Sequence, residues 1–187
     1  MLPNCRLRLA AHHWGGVSAR SLAGVSGGHN EENGYVKREF ERVFHVRWGD
    51  MDFNAHMKNT AYLDLSGDVR MMYFDEQGFS MREFERLRIG PVIMKDELEY
   101  FREMRLLESI KVNFQVAGLS SDVSQFCFRN EFFRDDGKMV ARVNSTGGWL
   151  GLESRRLVAP PDQLAKVIRE LKQGKDFQEL DSSIRKS

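Results

Sequence analysis

The sequence predicts an α+β domain in which a five-stranded antiparallel sheet wraps around one long central helix. Two observations carry this. Several short runs alternate apolar and polar residues with a period of two, and a single early run, through Tyr62, Leu65, Val69 and Met72, repeats at helical spacing with Asp64, Asp68 and Asp75 turned away. One long helix set against five mostly hairpin-connected strands buries its apolar stripe only if the sheet curls round it.

The first strand is read from Phe40, Phe44, Val46 and Trp48 alternating with Glu41, His45 and Arg47. The central helix follows, and Gly78 is placed to end it in a left-handed conformation. Gly67, in mid-helix, costs roughly 1 kcal/mol against alanine and reads either as a residue that lets helix and sheet approach closely or as a tolerated exposed glycine. Ser80 with Glu83 forms a capping box for a short second helix to Leu87, and Gly90-Pro91 is expected to stop it before the next strand. Val92 to Phe101 and Ile110 to Val116 read as strands. Ser124 to Phe133 places Phe126, Phe128, Asn130 and Phe132 on one face, and Asp135-Asp136-Gly137 is a hairpin signal before Met139 to Leu150. Behind Pro160-Pro161, Leu164, Ile168 and Leu171 mark an amphipathic helix from Asp162 to about Gln173, so the fold is expected to carry a C-terminal helix as well.

At 187 residues, with 41% hydrophobic and 29% charged side chains, the chain suits one domain with a real core. A formal net charge of +1 gives no reason to expect nucleic acid. No apolar run approaches the ~20 residues of a membrane span. Cys5 and Cys127 form neither a disulfide framework nor a metal cluster, and no cofactor is expected. Residues 1–34 read as a flexible extension, 35–158 as the main domain, and 159–187 as a C-terminal helix and tail. The extension carries Arg6, Arg8 and Arg20 and no acid before Glu31. Read as a plain extension it leaves the protein cytoplasmic; read as a transit peptide it sends the chain to an organellar matrix.

The stretch from Arg47 to Tyr62 crowds acid, amide, imidazole and aromatic groups into the junction between the first strand and the long helix. A helix start favours developing negative charge, because unpaired N–H groups and the helix dipole point there. This order of elements, with GDMDFNAHMKNTAY, resembles the hotdog-fold thioesterases, in which a strand ends in D-x-D or D-x-N and H-x-N-N-x-x-Y opens the central helix. The resemblance runs from about residue 35 to Leu152. In the 4-hydroxybenzoyl-CoA thioesterase branch the second acid of G-D-x-D is the catalytic carboxylate, which corresponds to Asp52. In the plant acyl-carrier-protein thioesterases, which look similar over D-x-D-x-N-x-H-x-x-N, the functional trio falls on Asp52, Asn54 and His56. Two positions depart from the pattern: Ala55 stands where many members have glycine, and Lys58 replaces the first of two asparagines.

The resemblance implies hydrolysis of acyl-CoA, or acyl carrier protein, thioesters, in fatty acid metabolism, by a homodimer or homotetramer. Asp52 would act as general base or as a nucleophile forming a mixed anhydride, with His56 and Asn54 orienting water or the acyl carbonyl. Backbone N–H groups near Lys58 and Asn59 would hold the oxyanion. Asn59, Lys58 and Tyr62 are the candidate substrate contacts. Each has a plainer reading: Asn59 as a helix cap, Lys58 as a solvated lysine, Tyr62 as core or pocket wall, and His56 as a brace for the turn. Asp50 reads as a turn residue. Met71, Met72, Tyr73 and Phe74, with Phe79, Phe84 and Met94, are either core or the wall of an acyl tunnel. Asp96, Glu97 and Glu99 are candidates for an acid supplied from a facing subunit, with none of the three singled out. The other readings are a hotdog enoyl-thioester hydratase, whose signature has a longer acid-to-histidine spacing and a proline, and a non-catalytic acyl-thioester-binding module.

Overall fold

The computed structural model describes residues 37–184, so the reading of residues 1–34 as an extension lies outside the described residues. The element order is β1 (Phe40–His45), α1 (Asn59–Glu76), α2 (Met81–Leu87), β2 (Ile89–Tyr100), β3 (Ser109–Ser120), β4 (Gln125–Arg134), β5 (Met139–Gly151), β6 (Leu157–Val158), α3 (Asp162–Glu170) and β7 (Gln173–Leu180). The sheet runs β1-β3-β4-β5-β2, all antiparallel, with the 18-residue helix α1 packed on one face.

Five strands were expected and the sheet has seven. β6 adds two residues beside β5, and β7 pairs in parallel with the end of β3. The amphipathic helix accordingly stops at Glu170 rather than near Gln173. The backbone beyond it is taken by sheet pairing: Lys172 N–H donates to Arg38 O and Val116 N–H to Lys172 O. Tertiary pairing there outweighs a helical preference that was only local.

α1 buries residues in pairs four apart, Ala61/Tyr62, Leu65/Ser66, Val69/Arg70 and Tyr73/Phe74. Met72, read as part of the stripe, is exposed and Tyr73 takes its place. The stripe meets inward residues of the sheet, including Ile110, Val112, Phe114, Phe126, Phe128, Phe132 and Trp149, all 1% exposed or less. Phe74 lies edge-on to Phe84, Phe114, Phe128 and Trp149, so Phe74 and Phe84 are core, as is Tyr73.

Gly78 adopts φ +88 just past α1. α2 begins as expected, with the Ser80 hydroxyl accepting from Glu83 N–H. Its end differs: Arg88 takes the left-handed conformation, φ +52, and β2 starts at Ile89, so Gly90 and Pro91 lie inside the strand. Proline is tolerated there because β2 is an edge strand. The hairpin at Asp135-Asp136-Gly137 closes with Gly137 at φ +75.

Candidate active site

β1 ends at His45, and a 3-10 turn over Trp48–Asp50 bends the chain toward α1. The turn is built by Asp50. Its carboxylate accepts from Arg47 N–H at 2.8 Å, Nε at 3.0 Å and Nη2 at 2.9 Å, and the side chain is buried. The hydrogen bond from Arg47 holds the Asp50 carboxyl below its ordinary value, with burial opposing. All its capacity goes into structure, as its position in the turn suggested. Trp48, read as the inward end of the strand, is thereby turned out to solvent at 81% exposure.

Asp52 is placed differently. Its backbone N–H donates to His56 O, and its Oδ1 accepts from Asn54 N–H at 2.8 Å and His56 N–H at 3.0 Å. Among the described residues nothing bonds to Oδ2, and the side chain is exposed. The five-residue loop folds back on its own carboxylate, which requires a left-handed residue at Ala55, φ +60. That explains why glycine suits this position, and why alanine is strained there.

Lys58, the position that departs from the motif, is the residue before the helix. Its Nζ donates to Gly49 O at 2.7 Å and its N–H to Asp50 O at 2.8 Å, so it fastens the 3-10 turn to the start of α1. Of the two N–H groups expected to hold an oxyanion, that of Lys58 is therefore occupied. That of Asn59 has no acceptor among the described residues. Asn59 is the first helical residue rather than the cap, and its side chain accepts from Thr60 N–H at 2.9 Å.

A cavity of about 390 Å³ opens at this junction, lined by Asp52, His56, Lys58, Asn59 and Tyr62 together with Met57, Tyr100, Arg102 and Glu103. Five of the six residues singled out from sequence meet here. Asn54 does not line the cavity; its contribution is the backbone N–H that holds Asp52. Tyr62 is the inner wall, edge-on to Tyr100 at 5.7 Å and Phe132 at 5.2 Å, and burial pushes its hydroxyl up to about 12.

Glu103 carries no local signal that marks it as a site residue. Its Oε2 lies 2.9 Å from His56 Nε2, and Arg105, then His56, hold its carboxyl below the ordinary value. The acids considered on β2 are engaged elsewhere: Asp96 accepts from Ser145, Glu97 pairs with Lys95, and Glu99 with Arg142. The acid that reaches the cavity comes from the loop just past the strand. Met57 N–H, bonded to Met104 O at 2.8 Å, brings that loop over the site, a pairing without local sequence signal. A second cavity of about 390 Å³ lies beside Lys37, Leu119 and Phe177 and contains none of these groups. Among the described residues no helix is long and apolar enough to cross a membrane.

Among curated proteins, none matches the sequence. Similar solved structures include a 1,4-dihydroxy-2-naphthoyl-CoA thioesterase from Synechocystis, at 14% identity and TM-score 0.64, covering 72% of this chain and 98% of that one. A Staphylococcus aureus protein solved in complex with CoA aligns at 20% identity and TM-score 0.65, covering 75% and 90%. A DHNA-CoA thioesterase from Staphylococcus aureus aligns at 16% identity and TM-score 0.62, covering 68% and 87%. At these identities the likeness is one of fold. The model of the thioesterase-like superfamily matches residues 46–168, from the end of the first strand to the C-terminal helix, and this chain belongs to that superfamily.

Proposed function

We propose that the protein hydrolyses acyl-CoA thioesters, with Asp52 as the reacting carboxylate. The observation that carries this reading is the arrangement of Asp52: one oxygen is fixed by two N–H groups while the other is free, in a cavity that also contains the start of α1. As general base, Oδ2 takes a proton from water as the oxygen attacks the thioester carbonyl. The tetrahedral oxyanion forms against Asn59 N–H and the positive end of α1, then collapses and releases the thiolate of coenzyme A. A positioned base contributes ~10²- to 10⁴-fold, and an oxyanion donor ~10²- to 10³-fold. As nucleophile, Asp52 would form an anhydride that water opens; the same free oxygen serves either course. His56, steadied by Glu103, lines the approach for water.

The long exposed edge of β2, twelve residues with no partner beyond β5 among the described residues, suits pairing with a second copy, and we assign the protein as a homodimer or homotetramer. A panel of acyl-CoAs assayed for thiol release, comparing the native chain with Asp52→Asn, tests the reading. Release above the buffer rate on at least one substrate, lost in the variant, supports it; release at the buffer rate on every substrate overturns it.

A further inference from the structure

Helix α1 buries two tyrosines to the same degree, Tyr62 and Tyr73, each 1% exposed. A buried phenol ordinarily finds a hydrogen-bond partner, and Tyr73 has one: its hydroxyl donates to Val167 O at 2.7 Å. Tyr62 has none among the described residues; burial first, then Tyr100 and Glu108, raise its hydroxyl, and no hydrogen bond contributes. The side-chain atoms sealed away without a partner among the described residues are Arg70 Nε, Asn130 Oδ1, Trp149 Nε1 and Ser183 Oγ. Tyr62 Oη is not one of them, so it meets open space, and the open space that Tyr62 lines is the active-site cavity. The ring is held from two sides, edge-on to Phe132 at 5.2 Å and to Tyr100 at 5.7 Å, and Phe132 is itself fully buried.

The cavity has an open end and a deep one. Asp52 and Asn59 are exposed, His56 and Lys58 are half-buried, and of the lining residues only Met57, at 5%, approaches the burial of Tyr62. A thioester with its carbonyl between Asp52 and Asn59 N–H leaves coenzyme A at the open end and sends its acyl group toward Tyr62. Asn59 and Tyr62 stand three residues apart on one face of α1, a rise of ~4.5 Å, so the acyl group that fits between the helix start and the Tyr62 wall is short. An alkyl chain laid against that wall strips the Tyr62 hydroxyl of water and returns nothing, which costs affinity. A hydroxyl on the acyl group restores the pair, because either oxygen can donate or accept. Burial has pushed Tyr62 up to about 12, so the group facing the ligand is a neutral hydroxyl at neutral pH.

We propose that Tyr62 is a specificity-determining residue whose unpaired hydroxyl, at the deep end of the cavity, pairs with a hydroxyl carried on a short acyl group, so that short hydroxyacyl-CoA thioesters are preferred over plain alkanoyl-CoA thioesters of the same length. This rests on the thioesterase reading above.

The test measures kcat/KM by thiol release on butyryl-CoA and on both enantiomers of 2-hydroxybutyryl-CoA and 3-hydroxybutyryl-CoA, for the native chain, Tyr62→Phe and Tyr73→Phe. The native chain is expected to favour at least one hydroxylated substrate roughly tenfold over butyryl-CoA, and Tyr62→Phe to lose that preference. Tyr62→Phe keeps the ring against Phe132 and removes only an unpaired oxygen, so its thermal midpoint should not fall. Tyr73→Phe gives up the bond to Val167 O, so its midpoint should fall while the preference stays, which separates a loosened helix from a lost cavity hydroxyl. Equal treatment of all substrates by the native chain, a preference that survives in Tyr62→Phe, or a preference lost equally in both variants overturns the proposal. Thiol release at the buffer rate on every substrate removes the thioesterase reading instead, and calorimetric binding of the intact thioesters then decides: tighter binding of a hydroxylated thioester that Tyr62→Phe abolishes upholds the role of Tyr62, and equal binding overturns it.

Discussion

His56 Nε2 stands 2.9 Å from Glu103 Oε2, joining the loop before α1 to the loop after β2 across the mouth of the cavity. With Nε2 engaged, the imidazole is fixed in orientation and Nδ1 remains for water. Glu103 does not touch the reacting atoms in this arrangement; it positions His56. Glu103→Gln is therefore expected to lower kcat by about tenfold to hundredfold with little change in KM, because orientation rather than substrate affinity is lost. An unchanged kcat would reduce the pair to a surface contact.

Asp52→Asn is expected to lower kcat by ~10² or more. The substitution keeps an oxygen that accepts from Asn54 and His56 N–H, so the loop retains its form and the midpoint of thermal unfolding should stay within a degree or two. Steady-state kinetics and calorimetry on the same preparation separate a chemical loss from a structural one.

Ala55 holds a left-handed conformation, φ +60, to close the loop on Asp52. A β-branched residue is less compatible with that region than alanine, so Ala55→Val should destabilise the fold by about 1–2 kcal/mol and reduce activity by displacing the Asp52 carboxylate. Ala55→Gly removes the strain but frees the unfolded chain, two effects of similar size, and its stability should lie within about 1 kcal/mol of the native protein. Denaturant unfolding of the three proteins measures the order.

Two carboxylates tie β7 and the following tail to the sheet. Asp176 accepts a bidentate pair from Arg129, which holds its carboxyl down at about 2. Burial would raise Asp122, but the hydroxyls of Ser182, Ser124 and Ser120 hold it well below the ordinary value. Both folded values lie below the unfolded ones, so these ties are complete above about pH 4 and are lost as pH falls toward 2. Amide hydrogen exchange should show β7 opening on acidification before β3 and β4, and Arg129→Met should produce that opening at neutral pH. Protection of β7 that falls only with global unfolding would count against the ties.

The central helix, the strands β1 to β5 and the junction from Arg47 to Tyr62 were legible because each carries its own periodicity or a compact motif. β7 was not, since in Gln173–Leu180 only Phe177 and Leu180 are apolar and its pairing is made by backbone groups of β3. Glu103 was hidden for a related reason: it reaches His56 because Met57 pairs with Met104, a long-range contact, while locally it is one acid among arginines. Arg70 was legible as a residue but not as an anomaly. Only burial shows that a cation occupies the stripe of α1.

Gly147 sets how closely β2 can approach β5 beside the irregularity between Ile93 and Lys95. A Cβ placed there would lie 2.1 Å from Val92 O and 3.0 Å from the Phe126 ring, and neither neighbour has room to move, one being backbone and the other stacked on Phe128 at 4.0 Å between centroids. Gly67 offers the opposite case, with nothing within 4 Å of its position. Gly147→Ala must push β2 away from the sheet and is expected to cost about 3 kcal/mol or more. Gly67→Ala, inside a helix, should instead stabilise by up to about 1 kcal/mol. Urea unfolding of the two variants checks the contrast. If both lose stability alike, helix α1 approaches something at Gly67 that a single chain does not contain, and a second copy is the first thing to look for.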